Sequence, residues 1–195
     1  DGASEIEHVP DAIQRAGILL DHGVIYVAVA NIYPPGLTTL YQEGYVQSFD
    51  AEDLMRLGSL QITPNTANHG KGGIWQAGRG LAADSDGYVF VATAGGHYDG
   101  ADDWGSSILK LAPRTLSVAD WFTPSNWEYL WDQNLDPSAN GVTLVPGSNL
   151  LFAGGKEGVI YLLDQGDMGR LESTPSEPLQ RFQASEGCAL EIAAP

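Results

Sequence analysis

The chain has 195 residues, of which 43% are hydrophobic, and a formal net charge of −16 from 25 acidic and nine basic side chains. This charge excludes a nucleic-acid backbone or an anionic membrane surface as the expected partner, because both would be repelled. No apolar run reaches the about 18 residues that cross a bilayer, so no membrane insertion is expected. The only cysteine, Cys188, cannot form an internal disulfide and therefore indicates no redox compartment.

Four strands are predicted in the first part of the chain, at residues 16–21, 24–30, 44–49 and 56–62. Each is rich in apolar, β-branched and aromatic residues and is bounded by Gly, Asp, Asn or Pro. His22-Gly23 is predicted to turn the first strand into the second. Residues 50–53 are predicted to form a turn rather than a short helix, because the same slot of the next repeat contains Pro113.

The same two hairpin patterns recur with a period of about sixty residues. The first hairpin, at 19–28, returns at 82–92 and 144–153. The second hairpin pairs 45–49 with 59–62, then 108–111 with 118–122, then 159–163 with 179–182. Four-stranded antiparallel units that repeat in sequence are typical of a β-propeller.

The sequence therefore predicts an all-β chain that forms one partial β-propeller over residues 1–195. About three four-stranded antiparallel blades are expected, at residues 16–62, 79–122 and 140–184. Closed propellers usually have about four to eight blades. We therefore expect the ring to be completed by further blades of a longer protein or by partner subunits.

The geometry of antiparallel strands divides the connections between two faces of the disc. The strand 1–2 and 3–4 turns lie on one face, and the strand 2–3 and 4–1 connections lie on the other, which we call the loop face. In the first two repeats the loop-face connections are long, whereas the third repeat has a tight 2–3 connection at 154–158 and a long insertion at 165–178 on the opposite face. Long loops on a rigid scaffold commonly carry function, so the loop face is the predicted binding surface.

The segment 69–80 contains the richest chemistry. Its glycines permit close backbone approach, and its polar and aromatic side chains can stack on or hydrogen-bond an anionic or polyol ligand. The candidate ligand-binding residues here are His69, Lys71, Trp75, Gln76 and Arg79, to which Lys156 in the tight connection of the third repeat is added. The alternative is that Trp75 packs between blades and that the glycines only permit the turn.

Aromatic residues in the other long loops extend this candidate surface. Trp104, Trp127 and Trp131 are the further ligand-binding candidates, and Tyr33, Tyr41, Tyr98 and Tyr129 are predicted to accompany them. Grouped aromatic rings suit carbohydrate or protein binding, but blade-to-blade packing explains them equally well.

A metal site is a further candidate, in the loop 95–105. Asp99, Asp102 and Asp103 are hard oxygen ligands suited to calcium, and His97 suits that ion less well. The spacing does not match an EF-hand loop, so a solvated acidic loop is the competing interpretation. No catalytic residue is predicted, because neither a nucleophile triad nor a zinc-binding histidine spacing is present.

Segments 73–78, 83–93, 107–111 and 154–164 resemble bacterial β-propellers with repeats like those of pyrroloquinoline quinone (PQQ) enzymes, the quinoprotein alcohol dehydrogenase-like superfamily. The resemblance covers most of residues 14–185 and implies a periplasmic or extracellular location. Dehydrogenases of this group typically hold PQQ and a calcium ion beside a disulfide between adjacent cysteines. No calcium-ligating set or catalytic aspartate is assignable here, so PQQ and calcium are expected only if residues outside the chain complete the ring.

The leading hypothesis is an extracytoplasmic binding scaffold whose loop face contacts a protein or carbohydrate ligand. The first alternative is a fragment of a PQQ- and calcium-dependent quinoprotein dehydrogenase, and the second is a carbohydrate-binding propeller module. Whether the chain is part of an enzyme stays open, with no activity favoured for this chain alone.

Overall fold

The computed structural model describes residues 12–31, 44–65, 71–76, 79–171 and 178–186. These residues form the following strands in chain order: β1 (Ala12–Ile13), β2 (Leu19–Asp21), β3 (Val24–Asn31), β4 (Gly44–Asp50), β5 (Arg56–Gln61), β6 (Ala82–Ala83), β7 (Val89–Ala92), β8 (Ile108–Leu111), β9 (Val118–Phe122), β10 (Val142–Leu144), β11 (Leu150–Gly154), β12 (Val159–Asp164) and β13 (Gln180–Gln183). The helix α1 (Trp127–Asp132) and a 3₁₀ turn (Pro137–Ala139) lie between β9 and β10.

The strands form three antiparallel sheets, each within one predicted repeat. The first sheet contains β2 to β5, with β1 pairing with the end of β3; the second contains β6 to β9, and the third β10 to β13. Apart from β1, which pairs with β3 and not with β2, strands that follow one another in sequence are neighbours within each sheet. The prediction of a partial propeller with about three four-stranded blades is confirmed.

Besides the 3₁₀ turn, a strand and a helix were not predicted. The short strand β1 adds an edge to the first sheet, where Ile13 pairs with Ala30. Helix α1 lies inside the predicted long loop 123–140, and Leu130 is its one buried residue. The Leu130 carbonyl also accepts the N–H of Leu135 at 2.8 Å. A helix of one or two turns with a single buried residue produces no apolar periodicity in the sequence that could predict it. Residues 51–53 form a turn, as predicted.

Each sheet packs through side chains that alternate between its two faces. We call the face toward the next sheet in sequence the forward face and the other the rear face. The first core cluster joins Tyr26, Ala28 and Val46 of the first sheet to the rear face of the second sheet, which presents Val89, Val91, Leu109 and Leu111. The second cluster joins Phe90, Ala92, Ile108 and Phe122 to the rear face of the third sheet, which presents Leu151, Ala153, Tyr161 and Leu163.

A glycine stands where the first strand of each blade begins. Gly17, Gly80 and Gly141 occupy equivalent positions relative to their hairpins. Gly17 and Gly80 form a parallel bridge, with the Gly17 N–H donating to the Arg79 carbonyl at 2.9 Å. A Cβ atom on Gly17 would lie 3.1 Å from the Gly80 nitrogen. Glycine therefore lets the first strands of adjacent blades approach one another closely.

Removing a contact between the first two sheets tests this packing. Leu109→Ala is expected to lower the free energy of unfolding by about 2–5 kcal/mol, because Leu109 is fully buried between the sheets. Leu179→Ala is the control. Because Leu179 is exposed, this substitution should change the free energy of unfolding by less than about 0.5 kcal/mol. Urea denaturation measures both. Equal effects of the two substitutions would contradict the arrangement.

Candidate functional site

The long connections of neighbouring blades are hydrogen-bonded to one another. The Gly72 N–H donates to the Gly95 carbonyl at 3.0 Å, and the Ala94 N–H donates to the Gly73 carbonyl at 2.8 Å. The Trp104 N–H donates to the carbonyl of Ile62, at the end of the first blade, at 2.8 Å. The segment 71–75 that enters the second blade is therefore joined to that blade's own 2–3 connection.

Asp136 joins the second and third blades in the same way. Its buried carboxylate accepts the Gly95 N–H at 3.0 Å and forms an ion pair with the Lys156 ammonium. The Lys156 backbone N–H donates to the Asp136 carbonyl at 3.2 Å, and the Lys156 ammonium also donates to the Asn134 carbonyl at 3.2 Å. One carboxylate thus positions three loop-face segments.

Glu157 makes a second connection beside it. One carboxylate oxygen accepts the Asn126 side-chain amide at 2.8 Å, and the other accepts the Tyr161 hydroxyl at 2.8 Å. Burial raises the pKa of Tyr161 strongly, and the hydrogen bond and negative charge of Glu157 raise it further. Tyr161 therefore stays protonated and donates to Glu157, which connects the approach to α1 with the third blade.

A small cleft opens among these segments. It has a volume of about 140 Å³ and is lined by Arg15, Trp75, Asp136, Ala139 and Lys156. The Arg15 guanidinium lies 5.8 Å from the centre of the Trp75 ring, within cation–π range. The cleft presents an aromatic surface and two cations beside one carboxylate, an arrangement suited to a small planar or anionic group.

The structure brings five of the predicted ligand-binding residues together in two groups. Trp75 and Lys156 share the cleft, although they lie in different blades. The Lys71 ammonium lies 5.6 Å from the centre of the Trp131 ring, and Trp131 stacks on Trp127 with centroids 6.2 Å apart. These contacts produce a cationic and aromatic patch around α1.

The other predicted ligand-binding residues lie apart from these two groups. Arg79 donates to the Thr143 hydroxyl at 3.0 Å, toward the third blade. Gln76 is buried, and its amide donates to the Gly80 carbonyl at 3.2 Å while its Oε1 has no hydrogen-bond partner among the described residues. Trp104 is buried against Trp121, with ring centroids 4.8 Å apart. His69 lies outside the described residues, as do Tyr33 and Tyr41.

Sequence reasoning missed the cleft's two other charged residues, Arg15 and Asp136. Arg15 shortly precedes the first strand of the first blade, a position equivalent to the end of a 4–1 connection. Aligning the repeats would have placed it on the loop face. Asp136 follows α1 in a segment without a motif, and no signal in the sequence distinguishes it from the other aspartates.

Two shallow grooves border the loop 98–104 at the outer edge of the disc. One has a volume of about 440 Å³ and includes Asp102, Trp104 and Trp121 in its lining. The other has a volume of about 500 Å³ and includes Tyr98, Asp99 and Trp127. The Trp121 indole N–H donates to the Tyr98 hydroxyl at 2.8 Å, and Trp121 lines both grooves. Both volumes fall in the range typical of small-ligand pockets.

The acidic loop gathers part of the predicted metal set. Ligand atoms of His97, Asp99 and Asp103 lie within 4.8 Å of one another, whereas Asp102 is exposed and is not one of the three. Asp103 is buried and accepts from His97 at 2.8 Å and from the Asn65 N–H at 3.1 Å. Asp99 Oδ1 accepts three backbone N–H groups, from Ala101, Asp102 and Asp103. Hydrogen bonds thus account for the loop geometry, and calcium binding stays a prediction.

Comparison with solved structures identifies three propeller enzymes of similar fold. A europium-containing methanol dehydrogenase matches 82% of this chain with a TM-score of 0.60 and 14% identity, over 33% of its own length. Quinohemoprotein alcohol dehydrogenase from Comamonas testosteroni matches 80% with a TM-score of 0.56 and 13% identity, over 27% of its length. Quinohemoprotein alcohol dehydrogenase ADHIIG from Pseudomonas putida HK5 matches 80% with a TM-score of 0.55 and 14% identity, over 26% of its length.

These similarities show the fold, and the chain spans about a quarter to a third of those structures' length. A scan against protein-family models and a search of curated proteins gave no match. Among the described residues, no helix has the length and apolar character of a membrane span.

The quinone cofactor that the family resemblance implies does not fit the cleft. The cleft has a volume of about 140 Å³, which is well below the roughly 300 Å³ at which pockets for drug-sized ligands begin. The Lys156 ammonium, one of its two cations, is already paired with Asp136. This cleft therefore does not form a complete quinone site.

The Asp136–Lys156 ion pair supports a prediction about stability. Lys156→Met is expected to lower the free energy of unfolding by about 1–3 kcal/mol, because it leaves a buried carboxylate with one fewer donor. Arg114→Met is the matched control: Arg114 forms a 3.5 Å pair with Asp50 at the surface, where such a pair contributes less than about 1 kcal/mol. Chemical denaturation measures both. An equal, small effect would contradict the role of Asp136.

The Asp99 loop supports a prediction about pH. Burial alone would raise the pKa of Asp99, but the N–H groups of Asp103, Ala101 and Asp102, helped by His97, lower it below its ordinary value of 3.8. Because the folded-state pKa is lowered, the stabilisation is present above pH 3.8 and is lost as the pH falls through the lower folded value.

Amide NMR spectra recorded between neutral and strongly acidic pH measure this effect. The amide signals of Ala101, Asp102 and Asp103 should shift together, with a midpoint below pH 3.8. In Asp99→Asn, which keeps an acceptor oxygen but does not titrate, this shared transition should disappear. A midpoint above 3.8, or three separate transitions, would be inconsistent with the arrangement.

Proposed function

We propose that the chain is part of an extracytoplasmic binding scaffold that contacts a protein partner through its loop face. The observation that carries the proposal is the hydrogen-bonded layer in which connections from all three blades meet, through Gly72 and Gly95 on one side and Asp136 and Lys156 on the other. Such a layer holds its side chains in place before binding. Pre-organisation lowers the entropic cost of association.

The chemistry of the loop face supports a protein partner. Four of the nine basic side chains lie on it, namely Arg15, Lys71, Arg79 and Lys156, although the chain as a whole is strongly acidic. The stacked Trp127 and Trp131 rings and the exposed Tyr129 adjoin them on α1. Aromatic and arginine side chains are enriched where proteins bind one another.

The extracytoplasmic location rests on the family resemblance together with the propeller fold. The rival proposal, a fragment of a quinoprotein dehydrogenase, rests on the same fold similarity alone. Adding PQQ and calcium and measuring dye-linked alcohol oxidation separates the two. Reproducible turnover by the chain would overturn the scaffold proposal.

A matched pair of substitutions tests the binding surface. Tyr129 on α1 and Met55 in the turn after β4 are both 57% exposed but lie on opposite faces of the disc. Tyr129→Ala should weaken capture of an extracytoplasmic partner by about thirtyfold, the effect of about 2 kcal/mol for an interface tyrosine, whereas Met55→Ala should leave it unchanged. Quantitative affinity capture measures both.

The outcomes of this comparison are distinct. A partner retained by Met55→Ala and lost by Tyr129→Ala supports the loop face. Equal retention by both variants, or selective loss with Met55→Ala, would count against it. A glycan array run on the same proteins identifies the carbohydrate-binding alternative, which a Tyr129-dependent signal would favour over a protein partner.

A further inference from the structure

The larger of the two grooves beside the loop 98–104, which we call the Asp99 groove, has aromatic walls and one charged residue. Its volume is about 500 Å³. The rings of Tyr98 and Trp127 form a corner of the groove, with centroids 6.0 Å apart and an angle of 61° between their planes. Asp99 carries the only charge among the described residues that line it. The lining residues are Tyr98, Asp99, Gly100, Trp121, Trp127 and Leu171.

Internal hydrogen bonds occupy the polar atoms of two of the three rings. The Trp121 indole N–H donates to the Tyr98 hydroxyl at 2.8 Å, and that hydroxyl donates to the Leu171 carbonyl. Tyr98 and Trp121 therefore offer a ligand carbon and π surface rather than hydrogen-bonding groups. A ligand that is recognised through hydrogen bonds, such as a sugar, gains little from these two side chains.

The Asp99 carboxylate supplies a negative charge to this surface. Its Oδ1 accepts the backbone N–H groups of Ala101, Asp102 and Asp103, each at 2.9 Å, whereas its Oδ2 has no hydrogen-bond partner among the described residues. Burial opposes ionisation, but these hydrogen bonds and the nearby His97 lower the pKa of Asp99, so the carboxyl is charged at neutral pH. The free oxygen attracts a cation, and the ring faces attract the same charge.

Two basic side chains near these walls are already paired with carboxylates. The Arg170 guanidinium lies 4.8 Å from the centre of the Trp121 ring and donates to Asp120 at 2.7 Å. The His97 ring lies 6.1 Å from that of Trp127, and His97 pairs with Asp103 at 2.8 Å. These pairs balance the two basic groups, so the charge of Asp99 remains for a ligand. The contact with Arg170 also shows that an aromatic ring of this groove accepts a cation.

We propose that the Asp99 groove is a binding site for a small quaternary ammonium ion, a trimethylammonium group of the choline type. Such a cation donates no N–H hydrogen bond, and it is recognised by aromatic faces together with a negative charge. The groove volume lies in the range of small-ligand pockets. The site is independent of the proposed loop-face partner, because Asp99 and Trp121 do not belong to the cationic and aromatic patch around α1.

Titration with choline at constant ionic strength, followed by NMR, provides the first test. The indole N–H signals of Trp121 and Trp127 should shift together, with a dissociation constant on the order of 1 mM, whereas the signal of Trp75 in the separate cleft should not. The control ligand is the neutral isostere of choline in which a tert-butyl group replaces the trimethylammonium group. It should bind at least about fivefold more weakly, because it has the shape of choline without the charge.

A matched pair of substitutions provides the second test. Asp99→Asn and Asp102→Asn each remove one negative charge, but Asp102 lines the neighbouring groove instead of this one. Asp99→Asn should weaken choline binding at least about fivefold, and Asp102→Asn by less than about twofold. Trp127→Leu, which keeps an apolar side chain but removes the ring, should weaken it at least about threefold. Circular dichroism checks that each variant is folded.

Four results would overturn the proposal. Equal affinity for choline and its neutral isostere would show that the groove selects only apolar shape. Equal effects of Asp99→Asn and Asp102→Asn would assign the attraction to the overall acidity of the chain. Shifts at Trp75 without shifts at Trp121 and Trp127, or no shift up to about 50 mM choline, would show that the cation does not bind here. Glucose that shifts the same signals at the same concentrations would identify a carbohydrate site.

Discussion

Face-to-face packing of consecutive sheets is the interaction on which the rest of this structure depends. The forward face of one blade meets the rear face of the next through rings and branched aliphatic side chains, as Phe122 meets Tyr161 with ring centroids 5.1 Å apart. Because side chains alternate along a strand, this packing also fixes strand register, since a slip of one residue would exchange the two faces. Strand order then places the long connections of adjacent blades side by side.

That placement explains why the loop face is a connected surface rather than a set of independent loops. Asp136 contacts both the Gly95 backbone and Lys156, and Glu157 contacts both Asn126 and Tyr161. Each carboxylate joins segments from two blades. The cationic and aromatic side chains that the proposed function uses, such as Lys71 over Trp131, are held on this layer.

Much of the fold could be predicted from the sequence, because strands and turns leave local patterns. The hairpins turning at His22-Gly23 and Asp86-Gly87 have the alternation and turn residues that predict strands, and their repetition predicts blades. The site is less predictable, since its contacts join distant residues. Nothing local distinguishes Trp104, which is buried, from Trp127, which stacks on Trp131 within α1. The pairing of Lys156 with Asp136 depends on packing between blades.

The second blade is covered on both faces, whereas the third blade presents an open forward face. Hydrogen–deuterium exchange with mass spectrometry tests this directly, because strands with the most buried contacts open least often. We expect the slowest exchange in β7 and β8, whose residues are buried apart from Lys110, and clearly faster exchange in β12 and β13. Equally slow exchange in the second and third blades would contradict it.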